Sequence, residues 1–247
     1  MARTVPPPVK MPLPPRWLYW VAMMAAILVL LQGTLPGLVA AVVERWVQGS
    51  LPEGARVKAT VESVPPAKFL LGQIDRLELN ITGASFSGAP VERIRRVTEG
   101  VQLEWGRFFR KGQVTYTHVG SERTEVFVGP EGMNAWLRSH PVAGFTPVVT
   151  GIAGGQIHVA AAVKFLGRTW DFRLALTPTV VGRSLTLRPE KITVDGNDPG
   201  PLFQELVLKS FNLSIFLDLP PDTRLVAATV EGGTLLLNLL NLPPAED

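Results

Sequence analysis

The fold is decided by the stretch WDFRLAL, residues 170–176, in which every second residue is apolar. Successive side chains of a β-strand point to opposite faces of a sheet, so this alternation predicts a strand with one buried face. Its apolar members are Trp170, Phe172, Leu174 and Leu176. The same alternation occurs in residues 57–61 and 77–81, and glycines separate several more short strands between residues 146 and 195.

Two hairpins and three helices complete the predicted elements. Residues 114–128 predict a hairpin that turns at Gly120-Ser121, and residues 224–239 predict another over Gly232-Gly233. The helices are predicted at 38–47, at 130–139 with Met133, Trp136 and Leu137 inward, and at 199–211 with Leu202, Phe203, Leu206 and Val207 inward. About ten short strands without a β-α-β rhythm predict an α+β fold with an antiparallel sheet.

The N-terminus has the pattern of an export signal. Residues 17–31 form an unbroken apolar run, WLYWVAMMAAILVLL, preceded by Arg3, Lys10 and Arg16 and by no acidic residue. A spanning helix needs about 20 residues, and the basic flank stays in the cytoplasm. We expect a Pro-rich cytoplasmic tail at 1–16, an uncleaved transmembrane anchor at 17–36 and an extracytoplasmic domain at 38–247. Cleavage of the segment as a signal peptide, with secretion of the domain, stays open.

Composition excludes several classes of function. The 247 residues include 24 Lys and Arg, 21 Asp and Glu, and no cysteine. The three basic residues before the apolar run account for the whole net charge of +3, so the rest of the chain lacks the basic footprint of a nucleic-acid-binding protein. Without cysteine there is no disulfide framework, thiol nucleophile or thiolate metal site.

No catalytic constellation stands out. The three histidines, His118, His140 and His158, lack metal-ligand spacing. The segment GASFSG at 83–88 resembles a nucleophile elbow, but Ser87 stands where the second glycine is required. We therefore predict no enzymatic activity, no catalytic residue, no metal and no cofactor.

Two basic clusters are candidates for contact with lipid headgroups or a membrane surface. They consist of Arg93, Arg95 and Arg96, and of Arg107, Arg110 and Lys111, the second interleaved with two phenylalanines. Cations alternating with aromatic residues are typical of an anionic-headgroup patch. The alternative is a solvated strand face balanced by Glu92, Glu99 and Glu104.

Several short motifs together resemble a known family. In chain order they are FLLGQIDRL at 69–77, GAPVERI at 88–94, GMNAWL at 132–137, FNL at 211–213 and LDLPP at 217–221. Their order and spacing are similar to those of the bacterial LmeA-type phospholipid-binding proteins, over roughly residues 38–242. The resemblance implies a fold related to the tubular lipid-binding (TULIP) domains. In that fold a strongly curved antiparallel sheet wraps around amphipathic helices and leaves an apolar tunnel.

The resemblance also implies a function in the bacterial envelope. We expect a membrane-tethered protein that binds, and in an extended role transfers, a phospholipid or related envelope lipid. Each acyl methylene buried contributes about 0.8 kcal/mol, so a tunnel needs no charged anchor. The candidate lining residues are Val57, Val61, Leu77, Leu79, Trp170, Phe172, Leu174, Leu176, Leu202, Phe203 and Leu206. The alternative is a structural envelope module with a packed core and a protein partner. A continuous apolar cavity would favour lipid binding over that alternative.

Overall fold

The computed structural model describes residues 23–24, 34, 36–104, 106, 110, 116–139, 147–165, 168–202, 204–205 and 213–241. Helix α1 occupies 36–48, helix α2 is Pro130–Ser139, and a 3-10 helix is Pro66–Leu71. The strands of these ranges are β1 Arg56–Glu62, β2 Gln73–Thr82, β3 Ser85–Phe86, β4 Ala89–Pro90, β5 Arg93–Leu103, β6 Tyr116–His118, β7 Ser121–Val128, β8 Pro147–Ala153, β9 Gln156–Phe165, β10 Arg168–Val181, β11 Ser184–Val194, β12 Leu213–Phe216, β13 Thr223–Glu231 and β14 Thr234–Asn241.

The predicted anchor at 17–36 and the tail at 1–16 lie mostly outside the described residues. Met23, Met24, Thr34 and Pro36 are described, and all four have helical backbone. Within the described part of the chain, no helix is long and apolar enough to cross a bilayer.

The strands form two main antiparallel sheets. One has the order β1-β2-β5-β7-β14-β13, with β6 also paired to β5, and the other has the order β12-β11-β10-β9-β8. The predicted α+β class is confirmed, but the single curved sheet wrapped around helices is replaced by two sheets. Alternation along a strand identifies its buried face, but it does not show which other strand pairs with it. The C-terminal hairpin β13–β14 returns to pair with β7, so the five-stranded sheet is inserted in the sequence between β7 and β13 of the other sheet.

The main core lies between the two sheets and α2. Trp136 and Leu137 of α2 are each 1% exposed, and they pack with Leu176 and Leu187 of one sheet and Leu237 of the other. The inward face predicted for this helix is therefore confirmed. Helix α2 also lies close to β4 at Gly132, where a Cβ atom would overlap the carbonyl oxygen of Pro90.

A second core lies between α1 and the β1 end of the seven-stranded sheet. Val39 and Val43 of α1 pack with Val61 of β1 and Leu79 of β2. Since β1 is an edge strand, its outer amides need partners, and the Glu44 carboxylate accepts the N–H of Ala59 at 2.7 Å. The predicted helix at 38–47 is confirmed, and its burial is one-sided.

The hairpin predicted at residues 114–128 is wrong for its described part. Strands β6 and β7 both pair with the same edge of β5 and not with each other. Gly120 lies between them and donates its N–H to the Glu99 carbonyl at 3.0 Å. A Cβ atom there would meet that oxygen at 3.1 Å. The glycine therefore allows the two strands to lie close together, whereas the sequence pattern predicted a turn at this position.

Candidate functional site

A cavity of about 260 Å³ lies between α1 and the inner face of the seven-stranded sheet, the face that carries Leu79, Val126 and Leu237. Its wall is largely apolar. The apolar lining residues are Val43, Trp46 and Val47 of α1, Ile74, Leu77, Leu79 and Ile81 of β2, Val101 and Leu103 of β5, and Val119. The other lining residues are Ser50, Arg96, Thr98, Tyr116 and Glu122.

Strand register explains how β2 and β5 build this wall together. Leu77 lies opposite Thr98, and Leu79 lies opposite Arg96, so these four side chains share the inner face. The alternation is broken at Gly100, whose φ of 66° is in the left-handed region that favours glycine. As a result Thr98 and Val101 line the same cavity although they are three residues apart.

A charged pair, Arg96 and Glu122, lies on the cavity wall. The Nη2 atom of Arg96 is 2.5 Å from Oε2 of Glu122, and the two side chains are 41% and 11% exposed. Asn241 donates its side-chain N–H to Glu122 Oε1, and the hydroxyl of Thr223 donates to Asn241 at 2.9 Å. Within the described residues, no group of three or more His, Asp or Glu side chains is placed to hold a metal ion.

The predicted lining residues lie in different parts of the molecule. Leu77 and Leu79 lie on the cavity wall, while Val57 and Val61 pack in the neighbouring second core. Leu174 and Leu176 are buried in the main core, Phe172 packs against it, and the Trp170 ring lies 4.4 Å from the Arg168 guanidinium. The prediction that Leu202 faces inward is wrong, because its side chain is 84% exposed. Phe203 and Leu206 lie outside the described residues.

Sequence reasoning missed the α1 contribution to this wall, namely Val43, Trp46 and Val47. The helix was predicted from its apolar circumference, which does not indicate which residues face a cavity. Ile81 was also missed, although it continues the alternation of Leu77 and Leu79.

The predicted basic residues of β5 divide between the two faces of the sheet. Arg93 lies over the Phe127 ring, 4.1 Å from its centroid, and Arg95 binds both carboxylate oxygens of Glu78 at 2.9 and 3.0 Å. Arg96 points to the inner face and reaches the cavity. From the second cluster Arg110 is exposed, and Arg107 and Lys111 lie outside the described residues.

The ion pair of Arg95 and Glu78, on the outer face of the sheet, makes the stability of the protein depend on pH. Hydrogen bonds from Arg95 lower the pKa of the Glu78 carboxyl from its ordinary 4.5 to about 2. A lowered pKa in the folded state stabilises the protein above about pH 4.5, and this stabilisation is lost as the pH falls through about 2. The pair is partly solvated, so screening reduces its contribution below the full shift.

We expect Glu78→Gln to lower the free energy of unfolding by about 1–2 kcal/mol at pH 7, because the charge-assisted hydrogen bonds are lost. Urea unfolding measured from pH 7 to pH 2 should show the difference from the wild type shrinking below pH 4.5. Glu231→Gln, at an exposed carboxyl, is the control and should have little effect. A difference for Glu78→Gln that stays constant with pH would contradict the assignment.

A family model described as LmeA-like phospholipid-binding matches residues 31–239. The matched range includes α1, α2, the cavity wall and the main core. No curated protein and no solved structure matches the chain.

Proposed function

The chain belongs to the LmeA-like phospholipid-binding family, and on that premise we propose that it holds a phospholipid acyl chain in the cavity between α1 and the seven-stranded sheet. The observation that carries the proposal is the cavity itself. Ten of the fifteen residues that line its wall are apolar, and the other five include the charged pair of Arg96 and Glu122. This is the arrangement that an amphiphile requires, with a surface for its chain and polar groups near its head.

The size of the cavity limits what it accommodates. Pockets for small organic ligands are typically about 300–1,000 Å³, and the cavity measures about 260 Å³. It therefore suits part of one acyl chain. Burial of about six methylenes would contribute about 5 kcal/mol before the cost of ordering the chain.

The proposal includes a location at the outer surface of the cell membrane. The apolar run at 17–31 with its basic flank supports an anchor whose C-terminal side lies outside. Helix α1 follows at residue 36 with almost no linker, so an anchor would hold this cavity wall close to the bilayer. Leu38 and Trp46 are exposed on α1, and Trp is favoured at the membrane interface. A cavity for part of one chain suits the capture of a single lipid for presentation or transfer.

The test is photo-cross-linking of the full-length chain in membranes to a phospholipid whose acyl chain carries a diazirine. We expect lipid adducts on peptides that contain residues 43–47 and 74–81, because these segments line the cavity. Excess unlabelled phospholipid should suppress these adducts. Mass spectrometry of the digested protein reads the positions.

Adducts confined to residues 17–31 would show bilayer contact by the apolar run alone and would refute binding in the cavity. Adducts spread over exposed apolar positions such as Val148 and Val226 would show non-specific labelling of the protein surface and would also refute binding in the cavity. The two results are distinguishable in one digest, because the segments are far apart in sequence.

A further inference from the structure

A chain of polar side chains crosses four strands on the largely apolar inner face of the seven-stranded sheet. It runs from Arg96 on β5 to Glu122 on β7, then to Asn241 on β14 and Thr223 on β13. Asn241 and Arg96 bind different oxygens of the Glu122 carboxylate. The carboxylate is thereby fixed in place, since two neighbours hold it and its side chain is only 11% exposed.

Arg96 is held less completely than Glu122. A guanidinium has five N–H donors, and among the described residues the hydrogen bond from Nη2 to Glu122 is the contact that fixes it. Its side chain is 41% exposed and lines the cavity. The remaining donors of this fork are therefore available to an oxyanion at the cavity wall, and phosphate is the anion that such a fork binds well.

The charge of Glu122 restricts which phosphate headgroup fits. A purely anionic headgroup would gain an ionic contact with Arg96, but it would lie next to the fixed carboxylate of Glu122, and the two negative charges would repel each other. A headgroup that also carries an ammonium can place its phosphate on Arg96 and its positive charge on Glu122. A primary ammonium has three N–H donors for that carboxylate, whereas a trimethylated one has none.

We propose that the Arg96–Glu122 pair selects phospholipids whose headgroup carries a phosphate and a primary amine, as in phosphoethanolamine lipids. The inference rests on the proposed function, because it assigns the head of the same lipid whose chain occupies the cavity. The phosphate binds Arg96, the ammonium binds Glu122, and Asn241 with Thr223 positions the carboxylate.

A network that only joins strands would have no effect on headgroup choice, so the experiment measures that choice. The full-length chain, purified in mild detergent, is mixed with equimolar dioleoyl phosphatidylethanolamine, phosphatidylcholine and phosphatidylglycerol, and native mass spectrometry reads each bound lipid. We expect the ethanolamine lipid to exceed each of the others about tenfold in the wild type, because a hydrogen bond to a charged group changes affinity by about that factor or more.

Glu122→Gln keeps the shape of the side chain and removes its charge, so the preference for ethanolamine over glycerol should fall to near one. Glu125→Gln is the matched control, since Glu125 lies on the same strand and pairs with Arg95 on the outer face. The lipid preference of this variant should equal that of the wild type. Arg96→Gln should reduce binding of all three lipids.

Two wild-type results separate this inference from the proposed function. Equal binding of the three lipids, or a preference for phosphatidylglycerol, overturns the headgroup assignment and leaves phospholipid binding intact. No bound lipid of any kind overturns both. Because the wild type alone gives these answers, the inference is testable even if Glu122→Gln does not fold.

Discussion

Replacing Trp136 by Ala is expected to lower the free energy of unfolding by about 3–5 kcal/mol, the range measured for removal of large buried aromatic side chains. The Trp136 side chain is 1% exposed and belongs to the main core that both sheets share. Its Nε1 donates to the carbonyl of Ser87 at 3.1 Å, so truncation also deprives that carbonyl of its donor. Urea denaturation followed by circular dichroism measures the change.

Two variants control for this prediction. Trp136→Phe retains most of the ring volume and loses the hydrogen bond, so a loss of about 1–2 kcal/mol is expected. Trp46→Ala removes a tryptophan that is 49% exposed on α1, and it should cost less than about 1 kcal/mol. Equal losses for Trp136→Ala and Trp46→Ala would show that the main core does not depend on α2.

The second large effect is expected for Leu77→Trp, which fills the cavity. Leu77 is half-buried and its side chain faces the cavity. The added ring therefore fits into the cavity, where it displaces the ligand and not the side chains of the core. Displacement of about four acyl methylenes would remove about 3 kcal/mol of binding free energy. Affinity for phospholipid should then fall about 100-fold, measured by titration with a fluorescent phospholipid.

Val226→Trp is the matched control for this variant. It introduces the same side chain on β13, an edge strand of the same sheet, at a position that is 59% exposed. Its affinity should equal that of the wild type, and both variants should unfold at similar urea concentrations. Unchanged affinity in a folded Leu77→Trp protein would place the acyl chain elsewhere.

The local elements were predictable because their signals are contained in short segments. The alternation at 170–176 identified Leu174 and Leu176 as inward residues, and both are buried in the main core. The inward face of α2 was likewise found from helical spacing. The same signals could not separate cavity wall from filled core, because Leu77 and Leu176 have the same apolar pattern in a strand.

The candidate site was predictable only in part. Leu77, Leu79 and Arg96 were identified from sequence, and the structure places all three on the cavity wall. Glu122 was not identified, because nothing near it in the sequence distinguishes it from other strand glutamates. Arg95 and Arg96 belonged to one predicted basic cluster, yet they lie on opposite faces of the sheet and pair with Glu78 and Glu122 respectively.

The sequence by itself determined the α+β class, the family, and the inward side of α2 and of part of β10, since side-chain direction follows a period of two or 3.6 residues. Only the tertiary structure decided that the strands form two sheets and that a cavity lies beneath α1. It also decided that Arg96 meets Glu122, 26 residues away, and that Glu122 meets Asn241, 119 residues away. Such meetings depend on strand pairing and register over the whole chain, and local periodicity carries no information about either.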